Sequence, residues 1–282
     1  MARRPIDFKG EIVAKPRKLF IQNHGNMHCD LGWLIVQAGV TLASRDNPYL
    51  PRQWVECPTH TVLIDHPDGW ILWDTTVPAN WDTHWAGPGS NELFPWDDHT
   101  EAQVFEDSLK SHGLGIEDIK YVIQSHLHAD HSGNIRLFKD TDATLICTKK
   151  EYDGAMGFDG PFQGVHIKDD YAPFKWTTFD TDTEIADGVT LIQAPGHTWG
   201  TCSLKVDLPE TGTMIFTSDA VYMSTSFGPP AVGAAVVYDN LAWLDSVEKL
   251  RRIQRESNAQ MVFGHDAAQM KTLRFGPAEF YA

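Results

Sequence analysis

From residue 125 to residue 131 the chain reads Ser-His-Leu-His-Ala-Asp-His, which puts three imidazoles and one carboxylate into the six positions His126 to His131. A lone histidine in a soluble protein usually ends as a solvated or hydrogen-bonded ring, but this density is that of a metal site. In a strand-like segment the side chains of His126 and His128 point the same way and can share one ion. Asp130 and His131 follow where the chain turns, so they can face a second ion. Four neighbouring residues cannot close two coordination spheres, and three downstream segments offer further ligands: Pro195-Gly196-His197-Thr198, Ser218-Asp219-Ala220 and Gly264-His265-Asp266.

Each of these residues follows a short apolar run that reads as a strand. Residues 120–124 are β-branched and aromatic, and Ser132-Gly133-Asn134 reads as a turn opening a helix. Residues 189–192, 214–217 and 261–263 precede His197, Asp219 and His265 in the same way. Upstream, alternation in 19–21 and 60–66 predicts antiparallel strands, and Pro67-Asp68-Gly69 turns the chain into 70–74. Residues 24–30 and a polar loop, 43–58, are read as lying between those strands. Helical spacing covers 101–112, with Gly113 as its stop, and 240–256, with Leu241, Leu244, Val247, Leu250 and Ile253 as its apolar stripe. Strand-helix-strand order occurs in both halves, with no short repeat and no clean linker. The expected fold is therefore α+β, two sheets packed together with helices outside, in one domain spanning 1–282.

Two long segments remain. The loop 78–99 carries Trp81, Trp85, Phe94 and Trp96, and with Tyr49 and Trp54 in the loop 43–58 these rings could line an apolar channel for an acyl chain. Taken singly, each ring is better read as an anchor to the core. The region 154–176 reads as an insertion over the site. The remaining histidines, His24, His28, His60, His66, His84, His99, His112 and His166, are not proposed as ligands.

Composition narrows the function. The 282 residues are 42% hydrophobic, enough for a full core, and 23 basic against 38 acidic residues give a formal charge of −15. That balance opposes nucleic-acid partners. The first residues, 1–8, include no apolar stretch of a secretory signal, and no run of about eighteen apolar residues exists to span a membrane. A soluble cytoplasmic protein is expected. Cys29, Cys57, Cys147 and Cys202 lack CxxC spacing, so they are read as reduced and mostly structural.

The order His-x-His-x-Asp-His, Pro-Gly-His, a lone Asp and a late Gly-His resembles the metallo-β-lactamase superfamily over essentially the whole chain, and within it the dinuclear N-acyl homoserine lactone lactonases that quench quorum sensing. The subgroup resemblance rests on Asp219-Ala220-Val221-Tyr222, on Ser226-Phe227-Gly228-Pro229-Pro230 and on the terminal Phe280-Tyr281. It implies an αββα sandwich. It also implies one metal held by His126, His128 and His197, a second by Asp130, His131 and His265, and Asp219 bridging both. Tyr222 and Asp130 are the implied catalytic residues, Tyr222 as donor to the oxyanion or substrate amide and Asp130 as proton relay to the leaving alkoxide. The resemblance makes Asp74 a carboxylate that orients a metal-bound imidazole, although a turn-forming Asp reads equally well. The family's Asp-Thr-Gly is Asp74-Thr75-Thr76 here, so a different backbone turn is expected.

Imidazole and carboxylate ligands with no cysteine suit two divalent ions, zinc first, with iron, cobalt or manganese as alternatives. Two such ions lower the pKa of a bridging water from roughly 16 toward 7, so hydroxide can open a lactone without a serine or cysteine nucleophile. The expected substrate is a small-molecule N-acyl homoserine lactone. A γ-butyrolactone or pyridoxolactone hydrolase would carry the same ligands. A glyoxalase-type thioesterase would want a basic glutathione-binding patch that the sequence lacks, a flavodiiron enzyme would need a flavin domain, and a binding protein would have lost ligands. A homodimer is the assembly left open.

Overall fold

The computed structural model describes residues 15–87, 89–158, 165–228 and 238–282. Residues 1–8, read above for a signal, and Pro229-Pro230 lie outside the described residues.

Among the described residues eleven strands form two sheets. The first contains β1 (Lys18–Asp30), β2 (Trp54–Asp65), β3 (Trp70–Trp73), β4 (Ile119–Ile123), β5 (Thr144–Thr148) and β6 (Thr177–Phe179) in sequence order. β1 to β3 pair antiparallel and β3 to β6 parallel. The second orders β11 (Gln260–Val262), β10 (Gly212–Phe216), β9 (Cys202–Leu208), β8 (Val189–Gln193) and β7 (Thr183–Ala186), antiparallel except for β10 with β11.

Strand side chains alternate between two buried faces. Leu19, Ile21, Val62, Ile64, Ile71 and Trp73 meet Val189, Leu191, Leu204, Val206 and Phe216 of the other sheet, forming the centre of the sandwich. The intervening Phe20, Leu63, Leu72 and Val122 face outward against Phe105, Leu109, Ile135 and Phe138. On the far side Ile192, Ile215 and Met261 pack on Trp243, Val247 and Leu250 of the helix Asn240–Ser257. Burial on both faces explains why the strands read as continuous apolar runs. The αββα arrangement matches the sequence expectation, and no helix among the described residues is long and apolar enough to cross a membrane.

Four local expectations need correction. β1 does not stop near residue 21 but runs to Asp30 through an irregularity between Asn23 and Asn26, where Gly25 takes φ 77°. β2 likewise starts at Trp54, inside the stretch read as a polar loop, because its half-wet alternation and Pro58 mask the strand signal. The helix expected at 101–112 is split into a 3-10 turn, Glu101–Gln103, and a helix, Phe105–Ser111, with Val104 extended between them. The carbonyl of Gln103 is taken by the His24 ring instead of by a helical N–H. In the helix Asn240–Ser257, Leu241 and Leu244 are 75% and 46% exposed. An i, i+3 series advances about 60° around the helix at each step, so the expected stripe winds out of the interface, and Trp243 and Ser246 take its place.

His24 also yields a prediction. Its Nδ1 donates to the Gln103 carbonyl at 2.7 Å, so Nε2 must accept from Thr61 Oγ1 at 2.9 Å. The Gln22 side chain, 2.8 Å from Thr61, satisfies the chain of bonds when its NH2 faces that hydroxyl. Burial lowers the His24 pKa to about 4, against the Gln103 bond, which raises it. The unfolded chain, titrating near 6.5, therefore binds more protons across this window. Stability present above pH 6.5 is lost as pH falls toward 4, by roughly 3 kcal/mol for this ring. Denaturant titrations at pH 7, 5.5 and 4.5 should show a shallower acid loss for His24→Gln than for wild type. Equal slopes would place the proton uptake elsewhere.

Candidate metal centre

The parallel pairing of β3 with β4 sets Asp74 and Ser125 side by side beyond the strand ends, where Asp74 N–H donates to the Ile123 carbonyl at 2.8 Å. The chain then passes through His126 and His128 into a one-turn helix, Ala129–Ser132, that carries Asp130 and His131, earlier than the helix expected after Ser132. His197 follows β8 after Gly196, whose φ of 135° and whose approach to the backbone of Trp243 leave no room for a Cβ, 2.4 Å away. Asp219 lies in the 3-10 turn Ser218–Ala220 after β10. His265 follows β11 and Gly264, where a Cβ would sit 2.9 Å from Asp219 Oδ1. All seven candidate ligands therefore stand at C-terminal strand ends on one rim of the sandwich.

There they form two groups. His126, His128, His197 and Asp219 bring their ligand atoms within 4.8 Å of one another, as do Asp130, His131, His265 and Asp219. Asp219 is common to both groups. Its Oδ2 lies 3.6 Å from His126 Nε2 and 3.2 Å from His197 Nε2, while Oδ1 lies 3.2 Å from His131 Nε2 and 3.1 Å from His265 Nε2. Asp130 Oδ2 approaches His131 and His265 at 3.4 and 3.6 Å. The far nitrogens fix ring orientation, since Asp74 Oδ2 accepts from His131 Nδ1 and the Pro58 carbonyl from His265 Nδ1, both at 2.8 Å. Asp74 also accepts from Ser125 N–H and Oγ–H at 2.7 and 2.8 Å, so it serves both the backbone turn and the imidazole.

The residues fit cations. His131 Nε2 and Asp219 Oδ1 are buried without hydrogen-bond partners, a costly state that a bound cation relieves. His197 Nε2 lies 3.2 Å from His126 Nε2 and 2.9 Å from His128 Nδ1, so lone pairs converge on one point. Burial, then the neighbouring imidazoles, hold His126 and His128 well below the usual histidine range, which keeps both neutral and able to ligate. Burial would raise the Asp219 carboxyl, but His131, His265 and His197 more than offset that and hold it ionised.

The departure from Asp-Thr-Gly has a structural expression. Asp74 and Thr76 both sit in the left-handed region, at φ 59° and 50°, an unusual position for a β-branched residue. The turn is held where Thr75 N–H donates to the His131 carbonyl at 2.7 Å and the Thr76 carbonyl accepts from Gly133 at 3.1 Å.

A pocket opens beside the centre, lined on the apolar side by Met27, Trp33, Leu34, Trp85 and Phe94 and on the polar side by Asp130, Asp219, Tyr222 and His265. Of the aromatics expected to form a channel, Trp85 and Phe94 do so. Trp96 is fully buried and donates to the His24 carbonyl at 2.7 Å, as an anchor does. Tyr49 and Trp54 are 91% and 57% exposed and lie outside the pocket. Of the region 154–176, Val165 reaches the pocket and the His166 ring packs 4.5 Å from His128, while 159–164 lie outside the described residues. Tyr222 Oη lies 3.1 Å from His197 Nδ1.

Glu151, which sequence reasoning did not single out, ties the site's segments together. Fully buried, it accepts from Leu127 N–H at 2.9 Å, Thr198 Oγ–H at 2.5 Å and Gly200 N–H at 3.1 Å. One carboxylate thus clamps the backbone between His126 and His128 to the turn after His197. Burial pushes its pKa up, against these three bonds. Thr148-Lys149-Lys150-Glu151 has the spacing of a helix capping box, and the Glu151 N–H does bond Thr148 Oγ1 at 3.0 Å, so the sequence signal suggests a mere cap. Glu151→Gln turns one acceptor into a donor facing N–H groups. It should keep the fold but lower metal affinity and kcat/KM by about tenfold to a hundredfold, as a chelator titration alongside steady-state kinetics would register. Unchanged affinity would reduce Glu151 to a helix cap.

The sequence model of the metallo-beta-lactamase superfamily matches residues 54–265. The N-acyl homoserine lactonase AttM of Rhizobium johnstonii is 33% identical over 239 residues, covering 80% of this chain and 88% of that protein. The N-acyl homoserine lactonase AiiB of Agrobacterium fabrum is 29% identical over 277 residues, covering 94% and 99%. A solved N-acyl homoserine lactone hydrolase with the product N-hexanoyl-L-homoserine bound at its catalytic metal center aligns with a TM-score of 0.76 at 25% identity, over 95% of this chain and all of that one.

Proposed function

We propose, from the premise that this chain belongs to the metallo-β-lactamase superfamily, that it is a metal-dependent lactonase opening the ring of N-acyl homoserine lactones, a quorum-quenching hydrolase. The observation that carries the reading is the split of Asp219, one carboxylate oxygen turned to each histidine group. His126, His128 and His197 are assigned to one cation, Asp130, His131 and His265 to the other, and Asp219 to both. Two divalent cations, zinc first among zinc, iron, cobalt and manganese, supply Lewis acidity and hydroxide at neutral pH.

The protein groups do the rest. The apolar wall of Met27, Trp33, Leu34, Trp85 and Phe94 accepts an acyl chain and excludes water, directing the lactone head toward Asp130 and Tyr222. A His197 ring that ligates through Nε2 carries its proton on Nδ1 and donates to Tyr222 Oη, leaving the phenol O–H to donate toward the substrate carbonyl or amide. Asp130, whose side chain is 20% exposed beside the pocket, is placed to carry a proton to the leaving alkoxide.

Four buried free cysteines support a reducing compartment, the cytoplasm. The outward-facing Leu241 and Leu244 offer a strip on which two copies could pair as a homodimer, read by light scattering as twice 31.6 kDa. The function is tested by incubating the protein with homoserine lactones of short and long acyl chains, with and without chelator. Ring opening that chelator abolishes and metal restores is expected. Turnover that prefers lactones lacking an acyl amide would instead favour the γ-butyrolactone or pyridoxolactone reading.

A further inference from the structure

Three sulfur side chains lie together beside the hydrolytic centre: Met27 and Cys57 in the pocket wall and Cys29 in the apolar cluster behind it. In the β1–β2 pairing Met27 stands opposite Cys57, and Cys29 lies two residues further along β1, opposite Val55. Residues two apart on a strand share a face, and so do directly paired residues on neighbouring strands. All three are buried, at 2%, 0% and 2% exposure, in one apolar cluster. Met27 and Cys57 both line the pocket beside Asp130 and Asp219.

We propose that Met27, Cys29 and Cys57 form a soft-cation site that takes Cu(I) through two thiolates and one thioether. Cu(I) is the class that such a sulfur set selects, whereas harder divalent ions prefer the imidazole and carboxylate ligands next door. Binding is a proton exchange without redox change: Cu(I) and two thiols give a dithiolate complex and release two protons. The neighbouring Cys29, followed by burial, holds the Cys57 thiol well above its ordinary range. Only a strongly thiophilic cation displaces such protons. A disulfide is the poorer alternative. Cys29 and Cys57 form a diagonal pair across the two strands, for which the Cα separation is about 7–8 Å, beyond what a disulfide spans without backbone movement. The pocket supplies the entry path, and an occupant in its wall should obstruct an acyl chain, a consequence that rests on the proposed lactonase reading.

The test is a titration of the purified, metal-loaded protein with Cu(I) from a chromophoric Cu(I) chelator, under reductant and without oxygen. We expect one Cu(I) per chain beyond the resident cations, which metal analysis should find retained, and an X-ray absorption spectrum with a sulfur-only shell. Cys29→Ala should weaken Cu(I) binding by about a hundredfold and Met27→Leu by about tenfold, with resident metal unchanged. The proposal is overturned if no Cu(I) is held against the chelator, if the shell is nitrogen and oxygen, if a resident ion is displaced instead, or if Cys29→Ala binds as wild type does. Should that variant fail to fold, the spectrum of the wild-type protein decides. These readouts need no lactone, so a protein inert toward homoserine lactones could still pass them.

Discussion

Asp219→Asn is expected to lose metal and activity together. The substitution keeps the shape of the side chain and removes the one charge that both histidine groups share, at 3.1–3.2 Å from His131, His197 and His265. In a site this buried, removing one charged partner costs about 3–5 kcal/mol, because the remaining charges are left uncompensated. That corresponds to a fall of two to three orders of magnitude or more in kcat/KM, with the metal content of the purified protein dropping in parallel. The other candidate ligands each belong to one group, and their replacement should be less damaging. A variant that keeps two tightly held ions and ordinary turnover would show that Asp219 does not bridge.

Tyr222→Phe separates chemistry from metal binding. The ring packs against His197 and His265, at centroid distances of 5.3 and 5.5 Å, and phenylalanine preserves that packing. Burial, reinforced by the charges of Asp219 and Asp130, holds the phenol protonated well above its ordinary range, so it is a hydrogen-bond donor at neutral pH. Loss of one such donor to a developing oxyanion typically costs about tenfold to a thousandfold in rate. The fall should appear in kcat/KM while metal stoichiometry stays at the wild-type value. An unchanged rate would make Tyr222 a packing residue. Lost metal would mean that its contact with His197 Nδ1 is needed to hold that ring.

Much of this was legible in the chain because the chemistry is local. The segment 125–131 declares itself by residue type alone, and His197, Asp219 and His265 each follow an apolar run whose strand period is easily read. What stayed hidden depends on partners distant in sequence. Glu151 looks like a capping residue until Leu127 and Gly200 fold against it. Trp33, absent from the expected channel, comes from a short 3-10 turn after a strand whose apolar alternation is legible only to residue 21. Leu241 and Leu244 fit an apolar stripe by spacing, but the close approach of Gly196 to Trp243 fixes a different face of that helix inward. Local period identifies an element, whereas its buried face is set by what packs on it.

A two-cation centre that hydrolyses lactones is tested most directly by elemental analysis of active protein. The protein is purified without added chelator, its metal content is measured, and the metal is stripped and returned stepwise while homoserine lactone turnover is followed on the same sample. About two ions per chain are expected, with full turnover reached only as the second is restored. Full turnover at one ion per chain, or in protein from which all metal has been removed, would contradict the account.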